Sequence, residues 1–125
     1  MKITAFNPLI ITQDPESAIK LFEEMGFEQR HTKEGIGDNK TTNVRMKDAN
    51  GFHVDVARGE GEYTMIRMNV DDFDEAIEFL LAHGFRKPRH ERASQTVDTG
   101  SSKFTMMVSP SGYILEISQH IKDND

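Results

Sequence analysis

The feature that most constrains the fold of this chain is an internal repeat. The stretch 14–27 is matched 58 positions further on by 72–85, and both stretches open with Asp and close with Gly-Phe. The turn-forming segments 48–51 and 109–112 repeat at a similar offset of 61 positions. The alternative is chance similarity between two ordinary strand-and-helix segments. Two unrelated segments would not be expected to have their helix caps, helix ends and turns at matching positions. The sequence therefore predicts two copies of one structural unit.

Each copy begins with an extended apolar stretch that leads into a segment with helical spacing. In the first copy Asp14 can cap the helix, Pro15 suits its first turn, and Gly26 can adopt the left-handed conformation that ends it. Three strands follow, and a Gly-containing hairpin joins the last two. One such unit leaves a sheet face bare, so two units must cooperate to form a stable domain.

The predicted fold class is α+β, with two tandem βαβββ modules in a single domain. Module one covers about 1–58, module two covers about 62–120, and 121–125 form a tail. Gly59-Glu60-Gly61 is the predicted linker between the modules. Whether the modules pair within one chain or between two chains is left open, because a glycine-rich linker permits both arrangements.

Composition narrows the functional classes. The 125 residues include no cysteine, which excludes disulfides, thiolate metal ligands and a cysteine nucleophile. A formal net charge of −6 repels phosphate backbones, so we expect no nucleic-acid partner. The apolar runs are far shorter than the ~20 residues of a membrane span, and the N-terminus has no signal-peptide core. We therefore expect a cytoplasmic protein without a membrane partner.

Two stretches resemble a known family. The stretch 7–22 reads Asn-Pro-Leu-Ile-Ile-Thr-Gln-Asp-Pro-Glu-Ser-Ala-Ile-Lys-Leu-Phe and is closed by Gly26-Phe27, while 109–117 reads Ser-Pro-Ser-Gly-Tyr-Ile-Leu-Glu-Ile. They resemble the opening and the terminal hairpin of the glyoxalase, bleomycin-resistance and extradiol-dioxygenase superfamily, also called the vicinal oxygen chelate superfamily. The resemblance implies paired βαβββ modules whose curled mixed sheets form a ligand cavity, and a homodimer with two equivalent sites.

Side chains alternate along a strand, so the positions that face the helix determine which ones line the cavity. The predicted helix-facing positions in the last strand of each module are Phe52, Val54, Val56, Tyr113, Leu115 and Ile117. The opposite face supplies the candidate ligand-binding residues, which are Asn7, Leu9, Arg45, His53, Asp55, Met65, Arg67, Met106 and Glu116.

The resemblance also implies where a metal would bind. Metal-binding members of the superfamily place His, Gln or Glu at the start of the first strand and within the last strand of each module. By register, those positions here are Asn7, Asp55, Met65 and Glu116, of which only Glu116 matches the pattern. Zinc, nickel and iron favour imidazole together with carboxylate, so we predict no metal site. The alternative is Mg²⁺ or Mn²⁺ held by Asn7, Asp55 and Glu116 with waters.

Three further side chains of this face have two interpretations each. Arg45 and Arg67 could bind a carboxylate or phosphate of a small molecule, or they could neutralise the two acids, Asp55 and Glu116. His53 could transfer a proton or replace a metal ligand, or it could be a cavity-wall histidine bonded to a carboxylate. The sequence leaves these alternatives open.

The leading functional hypothesis is a glyoxalase and bleomycin-resistance-like protein that binds a small organic molecule without the usual metal site and without a cofactor. The acidic composition is compatible with a cationic ligand. The alternative is a divalent-metal-dependent lyase, isomerase or dioxygenase in which Asp55 and Glu116 hold the ion and His53 moves a proton. A third interpretation is an interaction module whose cavity is filled by Arg45, Arg67 and methionines. Whether the protein is an enzyme is left open.

Overall fold

A computed structural model describes residues 1–36, 41–89, 96–100 and 102–120, and the predicted tail 121–125 lies outside them. Within these ranges the chain forms eight strands and two helices, so its class is mixed α+β. The elements are β1 (Ile3–Thr12), α1 (Pro15–Glu24), β2 (Glu28–Ile36), β3 (Thr41–Lys47), β4 (His53–Arg58), β5 (Tyr63–Val70), α2 (Phe73–Ala82), β6 (Val97–Asp98), β7 (Ser102–Val108) and β8 (Ile114–His120). In the described ranges neither helix has the length and apolarity that crossing a membrane requires.

The chain divides into two compact units. The first unit is Asn7–Met65, and the second unit consists of Met1–Phe6 together with the chain from Ile66 onward. The N-terminal stretch Met1–Phe6 thus groups with the second unit, and two hydrogen bonds join it to that unit. The backbone N–H of Lys2 donates to Oδ1 of Asp71 at 2.6 Å, and the backbone N–H of Asp71 donates to the carbonyl of Lys2 at 3.0 Å.

In the first unit the strands lie in the order β2-β3-β4-β1. β1 runs parallel to β4, whereas β2 and β4 both run antiparallel to β3. The register places Leu9 of β1 and Arg45 of β3 on either side of Asp55 in β4. Asp55 therefore lies in the middle of a three-stranded ladder.

In the second unit the strands lie in the order β5-β8-β7-β6, and β5 is parallel to β8. The other two pairings are antiparallel. Here Arg67 of β5 and Met106 of β7 lie on either side of Glu116 in β8. Glu116 follows Asp55 by 61 positions, so the pairing around the acid is the same in both units.

The helices begin and end where the sequence predicts. Asp14 and Asp72 each accept a hydrogen bond from the backbone N–H three residues further on, at 3.2 and 3.1 Å. These carboxylates satisfy backbone donors that have no partner within the helix. Gly26 and Gly84 follow the two helices with φ of 105° and 88°, the left-handed region that glycine adopts without steric cost.

The two predicted hairpin turns also form. The backbone N–H of Gly51 donates to the carbonyl of Asp48 at 3.1 Å, and that of Gly112 donates to the carbonyl of Ser109 at 3.1 Å. Each turn joins the third and fourth strands of its half of the chain, and so fixes the register that surrounds the acid.

Each unit packs its helix on one face of its sheet. The first core contains Val44, Met46 and Val54, with Ile10, Ile19, Phe22 and Phe27 packed against them. The second core contains Met68, Val70, Phe73, Ala76, Leu80, Met107, Leu115 and Ile117. The strand residues of these cores alternate with Asp55 and Glu116, so the acids lie on the sheet faces opposite the helices.

The prediction of which residues face the helix is confirmed within β4 and β8. It is wrong for the residue that directly precedes each of these strands. Val54, Val56, Leu115 and Ile117 are buried. Phe52 and Tyr113, however, are 65% and 54% exposed. β4 begins at His53 and β8 at Ile114, so both aromatic residues belong to the hairpin turns, where strand alternation does not apply.

The predicted linker packs against the end of β1. The backbone N–H of Gly59 donates to the carbonyl of Thr12 at 3.1 Å. A Cβ atom at Gly59 would overlap Cγ2 of Ile11. Glycine is therefore required at this position by close approach to a half-buried side chain.

We expect Gly59→Ala to lower the free energy of unfolding by about 1–3 kcal/mol, because the added methyl group forces a shift in a packed region. Urea denaturation measures the change. Ile11→Ala removes the obstructing atom, so the double variant should lose less than the sum of the two single losses. Additive losses would show that the contact does not matter.

Glu62, which directly follows the linker, is hydrogen-bonded to the end of β1. Its carboxylate accepts hydrogen bonds from the backbone N–H of Gln13 and from the hydroxyl of Thr12, both at 2.7 Å. These bonds, the backbone one first, hold the pKa of Glu62 below its ordinary value of 4.5. The ionised carboxylate therefore stabilises the fold at neutral pH, and this stabilisation is lost as the pH falls below 4.5 and through the lowered pKa.

We expect Glu62→Gln to lower the free energy of unfolding at pH 7 and to flatten its decline on the acid side. Denaturation curves recorded from about pH 7 to pH 3 measure both effects. Glu60→Gln is the matched control, because Gln13 bonds to the backbone carbonyl of Glu60 rather than to its carboxylate. An acid-side decline in Glu62→Gln as steep as in the parent chain would contradict the assignment.

Candidate functional site

The nine predicted site residues divide between the two units. The first unit holds Asn7, Leu9, Arg45, His53, Asp55 and Met65. The second unit holds Arg67, Met106 and Glu116. In each unit the strand register brings the acid next to an arginine, on the sheet face opposite the helix.

In the first unit Arg45 and Asp55 are directly opposed across β3 and β4. Nε of Arg45 donates to Oδ1 of Asp55 at 3.1 Å, and Nη2 donates to Oδ2 at 3.2 Å. The side chain of Asp55 is 0% exposed and that of Arg45 is 32% exposed. A two-pronged guanidinium is the partner that a buried carboxylate requires, because an uncompensated charge there is strongly unfavourable.

In the second unit Arg67 and Glu116 are directly opposed across β5 and β8. Nε of Arg67 donates to Oε1 of Glu116 at 2.7 Å, and Nη2 donates to Oε2 at 3.3 Å. The two side chains are 14% and 8% exposed. Both arginines therefore neutralise the acids beside them, which is one of the two roles that the sequence left open.

The two units place their arginines on different strands. Arg45 lies in β3, and its counterpart 61 positions later is Met106 in β7. Arg67 lies in β5, and its counterpart 58 positions earlier is Leu9 in β1. Each acid thus lies between one arginine and one apolar residue, with the two sides exchanged between the units.

Asn7 and Met65 occupy the first-strand positions at which the superfamily places metal ligands. Both side chains are buried. The side-chain N–H of Asn7 donates to the carbonyl of Pro8 at 3.0 Å. Asn7 could offer a metal its amide oxygen, and Met65 could offer its thioether sulfur. A thioether is a poor ligand for a hard cation.

The metal ion that the superfamily implies does not fit this donor set. Both carboxylates are engaged by guanidinium groups, which a cation would have to displace. Zinc, nickel and iron favour imidazole, and none of the four positions has one. In the part of the chain that the structure describes, no three His, Cys, Asp or Glu side chains are grouped so that they could hold a metal ion.

His53 is half-buried and lies on the face of Asp55. Its directly opposed neighbour is Lys47 of β3. The histidine and this lysine are therefore cross-strand neighbours in the ladder. Lys47 is not among the predicted site residues, although its position two residues after Arg45 puts it on the same face.

A second polar pair lies beside Arg67 and Glu116. The hydroxyl of Ser118 donates to the side-chain carbonyl of Asn69, and the two residues are directly opposed across β5 and β8. Each lies two positions beyond a member of the Arg67–Glu116 pair, so it shares the same face. Strand alternation put both on this face, but nothing in the sequence showed that they bond to each other.

Lys87 belongs to a separate polar group in the second unit. Its ammonium group donates to the hydroxyls of Thr105 at 2.8 Å and Thr96 at 3.3 Å. Burial lowers the pKa of Lys87. Thr105 alternates with Met106 in β7, so this group is on the helix side of the sheet and apart from the candidate site.

Comparison with solved structures places the fold. Methylmalonyl-CoA epimerase from Mycobacterium tuberculosis is 14% identical with a TM-score of 0.65, and the match covers 96% of this chain and 90% of that one. A glyoxalase/bleomycin resistance protein/dioxygenase superfamily member from Vibrio splendidus is 15% identical with a TM-score of 0.59, over 94% and 99% of the two chains. Glyoxalase I from Zea mays is 14% identical with a TM-score of 0.65, over 98% of this chain and 45% of that one.

The chain therefore has the fold of the vicinal oxygen chelate superfamily, as the resemblance of its sequence implies. No protein-family model matches the sequence, and no curated protein matches it. Identities this low establish the fold alone, so the function has to be argued from the site.

Moving an arginine from one strand to the other tests the pairing. We expect Arg67→Leu to lower the free energy of unfolding by about 3 kcal/mol, because Glu116 loses the guanidinium that it faces. Adding Met106→Arg supplies a guanidinium from the third strand, as Arg45 does for Asp55, and should recover most of the loss.

Urea denaturation of the single and double variants measures this recovery. Met106→Arg alone is the control and should be destabilising, since it adds a second cation beside a carboxylate that is already paired. A double variant no more stable than Arg67→Leu would mean that the strand position of the arginine is fixed by something other than charge.

Proposed function

We propose that this chain is a metal-independent binding domain for a small organic molecule, similar to the glyoxalase and bleomycin-resistance proteins in fold. Two tandem βαβββ modules supply curled sheet faces, and the ligand occupies a cavity lined by those faces. The observation that carries the proposal is the two-pronged engagement of Asp55 by Arg45 and of Glu116 by Arg67. The acids at the metal-ligand positions act as counterions for arginine, so these faces are suited to an organic ligand.

The apolar residues beside the ion pairs support this proposal. Leu9 and Met65 are buried, and Met106 and Ile114 are half-buried. A few charged groups set in an apolar wall is the composition typical of small-molecule pockets. Methionine side chains are flexible and adapt to ligands of irregular shape.

The alternative is a divalent-metal-dependent lyase, isomerase or dioxygenase. Fold similarity to methylmalonyl-CoA epimerase and glyoxalase I favours this alternative. It requires that Asp55 and Glu116 leave their arginines and hold an ion with Asn7, while His53 moves a proton. Separating two buried ion pairs costs several kcal/mol for each uncompensated charge, which weighs against it.

The proposal includes the homodimer that the superfamily resemblance implies. Sedimentation equilibrium of the purified chain tests it directly. A cytoplasmic location and the absence of a nucleic-acid partner stay predictions from composition.

Metal loading separates the proposal from its alternative. We expect the purified chain, dialysed against excess Zn²⁺, Ni²⁺ or Mn²⁺ and then freed of unbound ion, to retain far less than one ion per chain, because guanidinium groups occupy the acids. Elemental analysis measures the retained metal. Glu116→Gln, which keeps the shape of the side chain, should retain no less than the parent. Glu78→Gln, an exposed change on α2, is the control.

Near-stoichiometric metal that Glu116→Gln abolishes and Glu78→Gln leaves in place would reject the proposal. It would also show that the Arg67–Glu116 pair opens to admit the ion.

A further inference from the structure

The site face of the first unit carries a group of nitrogen-bearing side chains. Arg45 and Lys47 lie two residues apart in β3, and His53 is directly opposite Lys47 in β4. Strand alternation puts all three on the face of Asp55. Directly opposed residues have Cβ atoms about 5 Å apart, and neighbours two positions along a strand lie about 7 Å apart. Arg45, Lys47 and His53 therefore form a compact group, called here the basic cluster.

Lys47 is the member of the basic cluster for which no described side chain supplies a counterion. It is half-buried, and it takes part in none of the ion pairs formed among the side chains of residues 1–30, 43–89, 96–100 and 102–120. Glu28 lies opposite it in β2, but the carboxylate of Glu28 is 75% exposed and 3.7 Å from Arg30. A bound anion would supply the opposite charge that no described side chain supplies to this half-buried lysine.

Arg45 supplies further N–H donors, and its ion pair with Asp55 fixes their position. Its pair with Asp55 uses Nε and Nη2, and a guanidinium has five N–H donors in a planar fork. The side chain is 32% exposed, so part of the guanidinium is accessible. Asp55 already holds the guanidinium of Arg45 in place. Binding an anion there therefore costs little additional side-chain entropy.

The second unit shows that the fold itself does not require the basic cluster. The residues 61 positions after Arg45, Lys47 and His53 are Met106, Val108 and Ile114. All three are apolar, and they occupy the same ladder positions around Glu116. Apolar side chains thus satisfy the structure at these positions, and the three nitrogen groups of the first unit need a different reason.

We propose that the basic cluster binds the carboxylate or phosphate group of a small amphipathic organic anion. Ile11, which is half-buried on the same face of β1 as Leu9, supplies an apolar wall for the rest of the molecule. This inference rests on the proposed function and names the ligand class. It replaces the cationic ligand that the acidic composition suggests, because net charge does not determine the field at one face.

Four probes with one ring system and different charges test the inference. They are 2-naphthoate, 2-naphthyl phosphate, neutral 2-naphthamide and cationic 2-naphthylmethylamine, each titrated into the full chain and followed by backbone amide NMR shifts. We expect the two anions to bind at least about tenfold more tightly than the amide or the amine, because charge-assisted hydrogen bonds are the strong ones. The tighter of the two anions identifies carboxylate or phosphate as the preferred group.

The variant Lys47→Met removes the charge and keeps most of the stem. We expect it to weaken anion binding by about tenfold and to leave naphthamide binding unchanged. Lys103→Met is the matched control, since Lys103 is a half-buried strand lysine of the second unit that lies over the ring of Phe73. It should leave all four affinities unchanged. Arg45→Gln with Asp55→Asn replaces the ion pair by neutral groups of similar shape and should also weaken anion binding.

Equal affinities for the four probes, unchanged in Lys47→Met, would overturn the anion inference and leave the proposed binding function standing. If none of the probes binds at millimolar concentration, the proposed function fails as well. Preference for the amine would restore the cationic ligand and overturn the inference.

Discussion

A carboxylate buried in the middle of a sheet destabilises a domain by several kcal/mol unless a positive group lies beside it, and the whole domain is stable by only about 5–15 kcal/mol. Asp55 and Glu116 are two such carboxylates, and each is held by both prongs of a guanidinium. The arginine comes from the third strand in one unit and from the first strand in the other. The requirement is therefore a positive charge next to the acid, and either flanking strand can supply it.

This pairing depends on strand register, and the register depends on local features of the sequence. The turns at 48–51 and 109–112 set the antiparallel pairing that brings Arg45 to Asp55 and Met106 to Glu116. A slip of one residue would turn each acid toward the helix and into the apolar core. The helix caps, the turns and the helix-facing apolar residues thus act together. They keep the carboxylates of Asp55 and Glu116 on the sheet faces that the helices do not cover.

The parts of the fold that depend on nearby residues could be predicted, and the parts that depend on distant ones could not. Helix caps, helix ends and hairpin turns follow from residues at most a few positions apart. The alternation that assigned Asp55 and Glu116 to one face failed only at Phe52 and Tyr113, which precede their strands. The choice of arginine for each acid, the Asn69–Ser118 bond and the attachment of Lys2 to Asp71 each join residues that only side-chain reach or tertiary packing brings together. Strand alternation could have placed Lys47 on the site face, but a single lysine in a strand does not by itself indicate a binding site.

Arg45 and Arg67 hold the acids that the superfamily pattern would give to a metal. The arginine Nε–H signals of a ¹⁵N-labelled chain report on this directly, because a guanidinium locked to a buried carboxylate exchanges its protons slowly with water. We expect two protected Nε–H signals, assigned by Arg45→Gln and Arg67→Gln, that keep their intensity when Mn²⁺ is added. Loss of those two signals on adding Mn²⁺, with other arginine signals unchanged, would place the ion at the acids and contradict the account.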